Sequence, residues 1–247
     1  MPARFDGRVV LVTGAGSGIG RATASKLSSL GAKLALCDID FDGLIETKEL
    51  CHDRKHYYAV FDVGLTEKCN EFVGDVVACY GTIDHVFNCA GVNPTSYPLE
   101  TTTDEYWDKL VNTNLKGTYN ITRACIPHLK SGASFVNVSS IAGLHPTAQQ
   151  AIYCATKYGI IGFSKCMALE LGPKGIRTNV VAPGYINTPT NAGVVKGAEA
   201  IAKQEEGTAL GRMGTPEEVA DVVAFLFSDE SRYMNGSVVE VDGGLKA

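Results

Sequence analysis

The chain has 247 residues and sets 22 Lys plus Arg against 27 Asp plus Glu, a formal charge of −5 that excludes nucleic acid as its main partner, because phosphate binding takes a basic surface. With 45% hydrophobic and 20% charged residues it can fill a core, which excludes disorder as the dominant state and suits one domain spanning 1–247. No apolar run approaches the roughly 18 residues of a membrane span, and the opening MPARFDG has no apolar signal core, so a cytoplasmic protein without a membrane partner is expected. The cysteines at 37, 51, 69, 79, 89, 125, 154 and 166 are scattered with no CxxC pair, so they read as buried thiols rather than disulfides, and no metal site is expected.

In chain order, apolar runs rich in Val, Ile and Leu predict strands at 8–13, 33–38, 56–62, 84–90, 134–139, 176–182 and 238–242. Helices are expected at roughly 18–30, 40–51, 66–80, 103–130, 150–171 and 216–228, the last opened by Thr215-Pro216-Glu217-Glu218. Strands apolar on both faces and alternating with helices give a parallel sheet covered on both sides. The predicted fold is therefore α/β, a doubly wound Rossmann-type sheet of about seven strands. The stretch 190–211 lacks periodicity and reads as a substrate lid, closing through Ala192, Val194 and Val195.

Between the first strand and its helix runs Thr13-Gly14-Ala15-Gly16-Ser17-Gly18-Ile19-Gly20. Glycines allow close approach to a pyrophosphate, and free N–H groups at a helix start favour negative charge. The second strand ends in Asp38, 18 positions after Gly20, where an acid binds adenosine ribose hydroxyls. Such a carboxylate repels the extra phosphate of NADP, and neither Ser17 nor Ile39 offers a compensating cation, so NAD is the expected cofactor. A methyltransferase could share this loop and acid.

Tyr153 and Lys157 stand at i and i+4, on one helix face, and a strand ending at Ser139-Ser140 precedes them. A phenol serving as a base near pH 7 needs about 4 kcal/mol of help. A lysine ammonium about 4 Å away supplies about that much at an effective dielectric near 20.

Together these segments resemble the short-chain dehydrogenase/reductase family from about Gly7 to Gly244. The likeness also rests on Asp62-Val63, Asn88-Cys89-Ala90-Gly91, Asn114-Leu115-Lys116-Gly117, Pro183-Gly184-Tyr185-Ile186-Asn187-Thr188 and Val241-Asp242-Gly243-Gly244. It implies Tyr153 as general acid/base, Lys157 lowering its pKa and holding the nicotinamide ribose, Ser140 binding the substrate oxygen, and Asn114 anchoring a relay water. Ser140 is preferred to Ser139 by its thirteen-residue spacing from Tyr153, and Asn114 to Asn112 because it precedes Leu-Lys-Gly. The resemblance further implies that Gly14, Ser17, Gly18, Ile19, Gly20, Ala90, Gly91, Pro183 and Gly184 border the cofactor. Asp62 and Val63 would touch adenine, Asn88 would stabilise the sheet, and Ile186 and Thr188 would hold the carboxamide. Cys89 departs from the family's usual Asn at its position.

The expected activity is NAD(H)-dependent interconversion of a secondary alcohol and a ketone. Alternatives are an NADPH-dependent ketoreductase or a catalytically silent dinucleotide-binding subunit; a methyltransferase would leave Tyr153, Lys157 and Ser140 without a role. Candidate substrate contacts are Asn93, Pro94, Gln150, Tyr185 and His145, the last equally readable as a solvated loop residue. With no arginine in the stretch before Arg212, a neutral, largely apolar, cyclic or terpenoid-like substrate is expected. Apolar positions at Tyr119, Ile126, Phe163 and Met167 exceed what one sheet-facing helix face uses, so a homo-oligomer, a D₂ tetramer, is expected.

Overall fold

A computed structural model describes residues 4–51, 55–93, 95–192, 195 and 197–245. Seven parallel strands form one sheet in the order β3-β2-β1-β4-β5-β6-β7. They are β1 (Val9–Thr13), β2 (Lys33–Asp38), β3 (Tyr57–Val60), β4 (Ile83–Asn88), β5 (Leu129–Val138), β6 (Arg177–Pro183) and β7 (Val238–Val241). The helices between them are α1 (Gly18–Ser29), α2 (Phe41–Leu50), α3 (Thr66–Tyr80), α4 (Asp104–Leu110), α5 (Gly117–Cys125), α6 (Ala151–Leu171), α7 (Pro189–Ala192), α8 (Ala198–Glu206) and α9 (Pro216–Phe227).

The continuous apolar runs have a direct cause. Val10 and Val12 of β1 face a core shared with Leu27 of α1 and Val219, Val223 and Leu226 of α9. Their neighbours Val9 and Leu11 face the opposite core with Phe72, Val73 and Val76 of α3 and Ile121 of α5. With both faces covered, the central strand β1 is apolar along nearly its whole length. The chain winds outward from β1 to β3 and then returns to β4 on the other side of β1, which puts the topological switch point at the carboxyl ends of β1 and β4. There the N–H groups of Cys89 and Ala90 each donate to Thr13 Oγ1 at 3.0 Å.

Three expectations are corrected. The helix expected over 103–130 is not continuous. α4 runs into a π-helical turn (Val111–Lys116), α5 follows, a 3₁₀ turn carrying Pro127 ends it, and β5 begins at Leu129 rather than at 134. Apolar spacing persists through the widened turn, so periodicity alone does not reveal it. The unpatterned stretch 190–211 contains α8, and none of the nine residues of that helix is buried, so no apolar stripe marked it. Finally β3 covers 57–60 rather than 56–62.

Candidate active site

The glycine loop joins β1 to α1. Gly14 has φ +66°, and a Cβ there would lie 2.8 Å from the Ala90 backbone across the switch point; a Cβ on Gly20 would run into the Gly14 carbonyl. The first turn of α1 carries no acid, and its N-cap Ser17 makes no side-chain cap. Such a helix start suits an anionic group such as a pyrophosphate.

Asp38, at the end of β2, lines the same cleft. Its Oδ2 accepts from Gly16 N at 2.8 Å and its Oδ1 from Asp40 N at 3.0 Å, so the carboxylate both borders the cavity and braces the loop. Sequence reasoning missed a second brace. Arg21 of α1 donates to the carbonyls of Gly16 and Gly43 and to Thr47 Oγ1, and pairs with Glu46 at 2.7 Å. Thr47 in turn donates to the carbonyls of Ala15 and Gly43, at 2.7 and 2.9 Å. The signal available was Arg21 one turn into the helix after the loop; nothing local marked Thr47.

A cavity of about 820 Å³ extends along the carboxyl ends of the strands. It is lined by Gly14, Ser17, Gly18, Ile19, Gly20, Asp38, Asp62, Val63, Ala90, Gly91, Pro183, Gly184, Ile186 and Thr188, and also by Asn93, Ser140, Gln150, Tyr153, Lys157 and Tyr185. Asp62 Oδ1 accepts from Gly64 N at 2.8 Å, and the Val63 carbonyl accepts from Asn120 Nδ2 at 2.9 Å, which fixes the wall after β3. The Thr188 side chain lies over Gly18. Asn88 sits behind the wall, where its Nδ2 donates to Thr122 Oγ1 and Asn137 Oδ1 at 3.0 and 2.8 Å and ties β4 to α5 and β5.

The two serines at the end of β5 do different things. Buried Ser139 donates to the Lys157 carbonyl at 2.8 Å and fastens α6, whereas Ser140 lines the cavity together with the Tyr153 phenol and accepts from Ala142 N. Asn114, in the π turn and fully buried, accepts from Val92 N at 2.7 Å and donates to Val92 O and Thr156 Oγ1. A Cβ on Gly91 would lie 3.2 Å from Asn114 Oδ1 and 3.5 Å from Lys157 Nζ, so Gly91 keeps the space between the amide and the ammonium open.

The lowering of the Tyr153 phenol expected from Lys157 is not seen in the protein alone. Lys157 Nζ lies 5.6 Å from the phenol ring centroid and donates to Val138 O at 3.1 Å. Burial pushes the phenol up to about 12, against the lowering effect of Ser140, and pushes the ammonium down to about 8. In the protein alone desolvation outweighs the attraction of the pair. Positive charge beyond Lys157, such as that of an oxidised nicotinamide, is what would bring the phenol down. Cys89 lines the cavity as a neutral thiol, which burial raises to about 12.

Three further expectations are revised. His145 is exposed and does not line the cavity; its backbone N–H donates to Ile141 O in the turn after β5. Among the described residues, the stretch 190–211 meets the cavity through the polar Thr190, Asn191 and Gln204, which the sequence reading did not single out. Val195 is buried elsewhere, while Pro94, Gly193 and Val194 lie outside the described residues. Among the described residues no group of three His, Cys, Asp or Glu could hold a metal, and no helix is long and apolar enough to cross a membrane.

A family model described as enoyl-(acyl carrier protein) reductase matches residues 14–246. The 3-oxoacyl-[acyl-carrier-protein] reductase of Thermotoga maritima is 40% identical over 247 residues, covering 98% of this chain and 99% of that one. The chain belongs to the short-chain dehydrogenase/reductase family. This short-chain dehydrogenase/reductase is also 39% identical to the human (3R)-3-hydroxyacyl-CoA dehydrogenase, covering 98% of its own length and 97% of that protein. A short-chain dehydrogenase of Burkholderia cenocepacia J2315 in complex with NADP superposes with a TM-score of 0.89 at 29% identity, covering 98% of each chain. Membership makes the protein an oxidoreductase that works with a nicotinamide dinucleotide on a small molecule.

Proposed function

We propose that this protein is an NAD(H)-dependent oxidoreductase that interconverts a secondary alcohol and a ketone, in the cytoplasm, as one domain whose segment 190–211 covers the substrate. The observation that carries the reading is a single cavity bordered by the glycine loop and Asp38 at one end and by Ser140, Tyr153 and Lys157 at the other. The bound dinucleotide would supply the hydride-accepting and hydride-donating centre. The chain's own residues do the rest. The loop and the start of α1 hold the pyrophosphate, Asp38 the adenosine ribose, Asp62 and Val63 the adenine, and Ile186 and Thr188 the carboxamide. Ser140 fixes the substrate oxygen, and Tyr153 takes the alcohol proton during oxidation or returns it during reduction. Lys157 holds the second ribose and favours the phenolate, while Asn114 positions a water that carries the proton outward.

NAD is favoured over NADP because Asp38 presents a carboxylate where the extra phosphate would sit, and Arg21, the nearby cation, is engaged by Glu46 and two carbonyls. The NADP complex of the Burkholderia relative supports a second reading, an NADPH-dependent ketoreductase. Calorimetric titration of both dinucleotides, followed by a screen of secondary alcohols and ketones at the nicotinamide absorbance, tests the two readings against each other. A silent subunit would bind the dinucleotide and turn over nothing.

Assembly as a homotetramer is part of the proposal. Tyr119 on α5 and Tyr158 and Leu169 on α6 are 40%, 43% and 79% exposed, although the inner faces of both helices already fill the core. A second copy that covers these outer faces removes that apolar surface from water.

A further inference from the structure

In and behind the cavity wall, several polar side chains have partners within the protein. Asn114 bonds Val92 and Thr156, Gln150 donates to Ser96 Oγ at 3.1 Å, Thr188 accepts from Asn191 N, and Asn191 donates to Ile186 O. Two carboxamides are different. The buried Oδ1 of Asn93 and the buried Oε1 of Gln204 have no hydrogen-bond partner among the described residues, and both side chains line the cavity. The remaining buried oxygens of this kind, on Thr23, Asn88 and Thr178, do not line it. A buried amide oxygen without a partner is costly unless something that enters the site satisfies it.

Both groups line the cavity that holds the reacting position, and they reach it from different segments of the chain. Asn93 follows the carboxyl end of β4, two residues after Gly91 and next to Val92, which packs against the cluster that contains Tyr153. Ser140 follows β5, the strand beside β4, and Gln204 stands on α8, which follows β6 in the chain and reaches the same cavity. Both carboxamides are neutral, and each can donate as well as accept. A carboxylate seated against them would lose its hydration without gaining a cation. Lys157 is engaged by Val138 O, Lys109 at the cavity rim is exposed, and Arg212 is paired with Glu218.

We propose that Asn93 and Gln204 form a second polar subsite, and that the substrate is an uncharged molecule carrying a further hydroxyl or carbonyl oxygen besides the one that reacts. This rests on the alcohol–ketone reading above and sharpens its substrate class, replacing the largely apolar ligand that the sequence suggested. A hydroxyl donates to the amide oxygens and a carbonyl accepts from the amide nitrogens, so either oxygen function fits.

The test compares cyclohexanone with 2-, 3- and 4-hydroxycyclohexanone, cyclohexane-1,4-dione and 4-carboxycyclohexanone. Turnover is followed at the nicotinamide absorbance, and ligand binding is measured by calorimetry on Tyr153→Phe protein loaded with NADH. At least one uncharged oxygenated ketone should exceed cyclohexanone about thirtyfold or more in kcat/KM, because a site built around a hydrogen bond rejects the analogue lacking it. Asn93→Leu and Gln204→Leu should each cut that ratio about tenfold, chiefly through KM, with NADH titration confirming that each variant is folded. Equal kcat/KM for cyclohexanone and every oxygenated ketone, a ratio untouched by either leucine variant, or a preference for the carboxylated ketone would overturn the proposal. If no ketone is turned over, the alcohol–ketone reading fails by itself, and the calorimetric preference and its loss in the leucine variants decide the subsite.

Discussion

Asp38 shows how a single side chain can carry two jobs, since its two oxygens each accept a backbone N–H while the carboxylate borders the cavity. The protein should bind NAD at least about tenfold, or 1.4 kcal/mol, more tightly than NADP. Asp38→Ser should narrow that gap and also weaken NAD binding, because the Gly16 brace is lost; calorimetry that finds equal affinities in the unaltered protein contradicts the role. The buried Lys157 makes a prediction with a definite sign. Its ammonium falls to about 8 from an ordinary 10.5, so in the folded state it is penalised at neutral pH, and the penalty fades as pH rises toward 10.5, where the unfolded chain sheds the proton too. Lys157→Met should therefore stabilise the ligand-free protein at pH 7 by up to about 3 kcal/mol while abolishing turnover, and the gain should vanish near pH 10.5. Denaturant titration across that range checks it, and a variant less stable at pH 7 counts against the burial argument. At this scale the glycine loop, Asp38 and the Tyr153/Lys157 pair were legible because short spacings encode them. Arg21 with Thr47 was not, since that pair meets only after distant segments pack, nor was the arrival of Asn93 and Gln204 in one cavity.

Elements follow local rules where their ends are built locally. α9 begins with a reciprocal cap in which Thr215 Oγ1 accepts from Glu218 N and Glu218 Oε2 accepts from Thr215 N at 2.8 Å, followed by Pro216 at its first position. Thr215→Ala should cost about 1 kcal/mol in denaturant unfolding, and an unchanged midpoint would show that the cap is redundant. The sequence Thr-Pro-Glu-Glu made this start readable. The region 103–130 was not, because the π turn that carries Asn114 keeps apolar spacing while shifting the helix face. In β4, His85 hydrogen-bonds Ser134 at 2.9 Å and stacks on Phe227 of α9 at 4.9 Å, and burial lowers it to about 4. Its ordinary 6.5 in the unfolded chain means that the folded state loses stability as pH falls from 6.5 toward 4, by up to about 3 kcal/mol. Thermal melts of the unaltered protein and of His85→Gln between those pH values should converge as the histidine protonates, and parallel curves would refute the assignment.

For the whole molecule, the doubly wound parallel sheet was the most legible feature: uninterrupted apolar runs alternating with helices admit few arrangements, and right-handed crossovers leave that architecture. Assembly is encoded less directly, since the exposed Tyr158 and Leu169 on α6 read as apolar positions in sequence whether they face a sheet or a partner. Light scattering at micromolar concentration should report a tetramer, and Leu169→Lys should shift it toward smaller species; a monomer in the unaltered protein contradicts the assembly. What unites the molecule is one cavity in which the dinucleotide loop and Tyr153 meet. The most direct test of that union is turnover at the nicotinamide absorbance, with a ketone found by screening, compared between the unaltered protein and Tyr153→Phe alongside the dinucleotide affinity of each. A fall of about a hundredfold or more in kcat with affinity unchanged within about threefold is the predicted result, since only proton transfer is removed. Near-normal turnover in the phenylalanine variant would contradict the account.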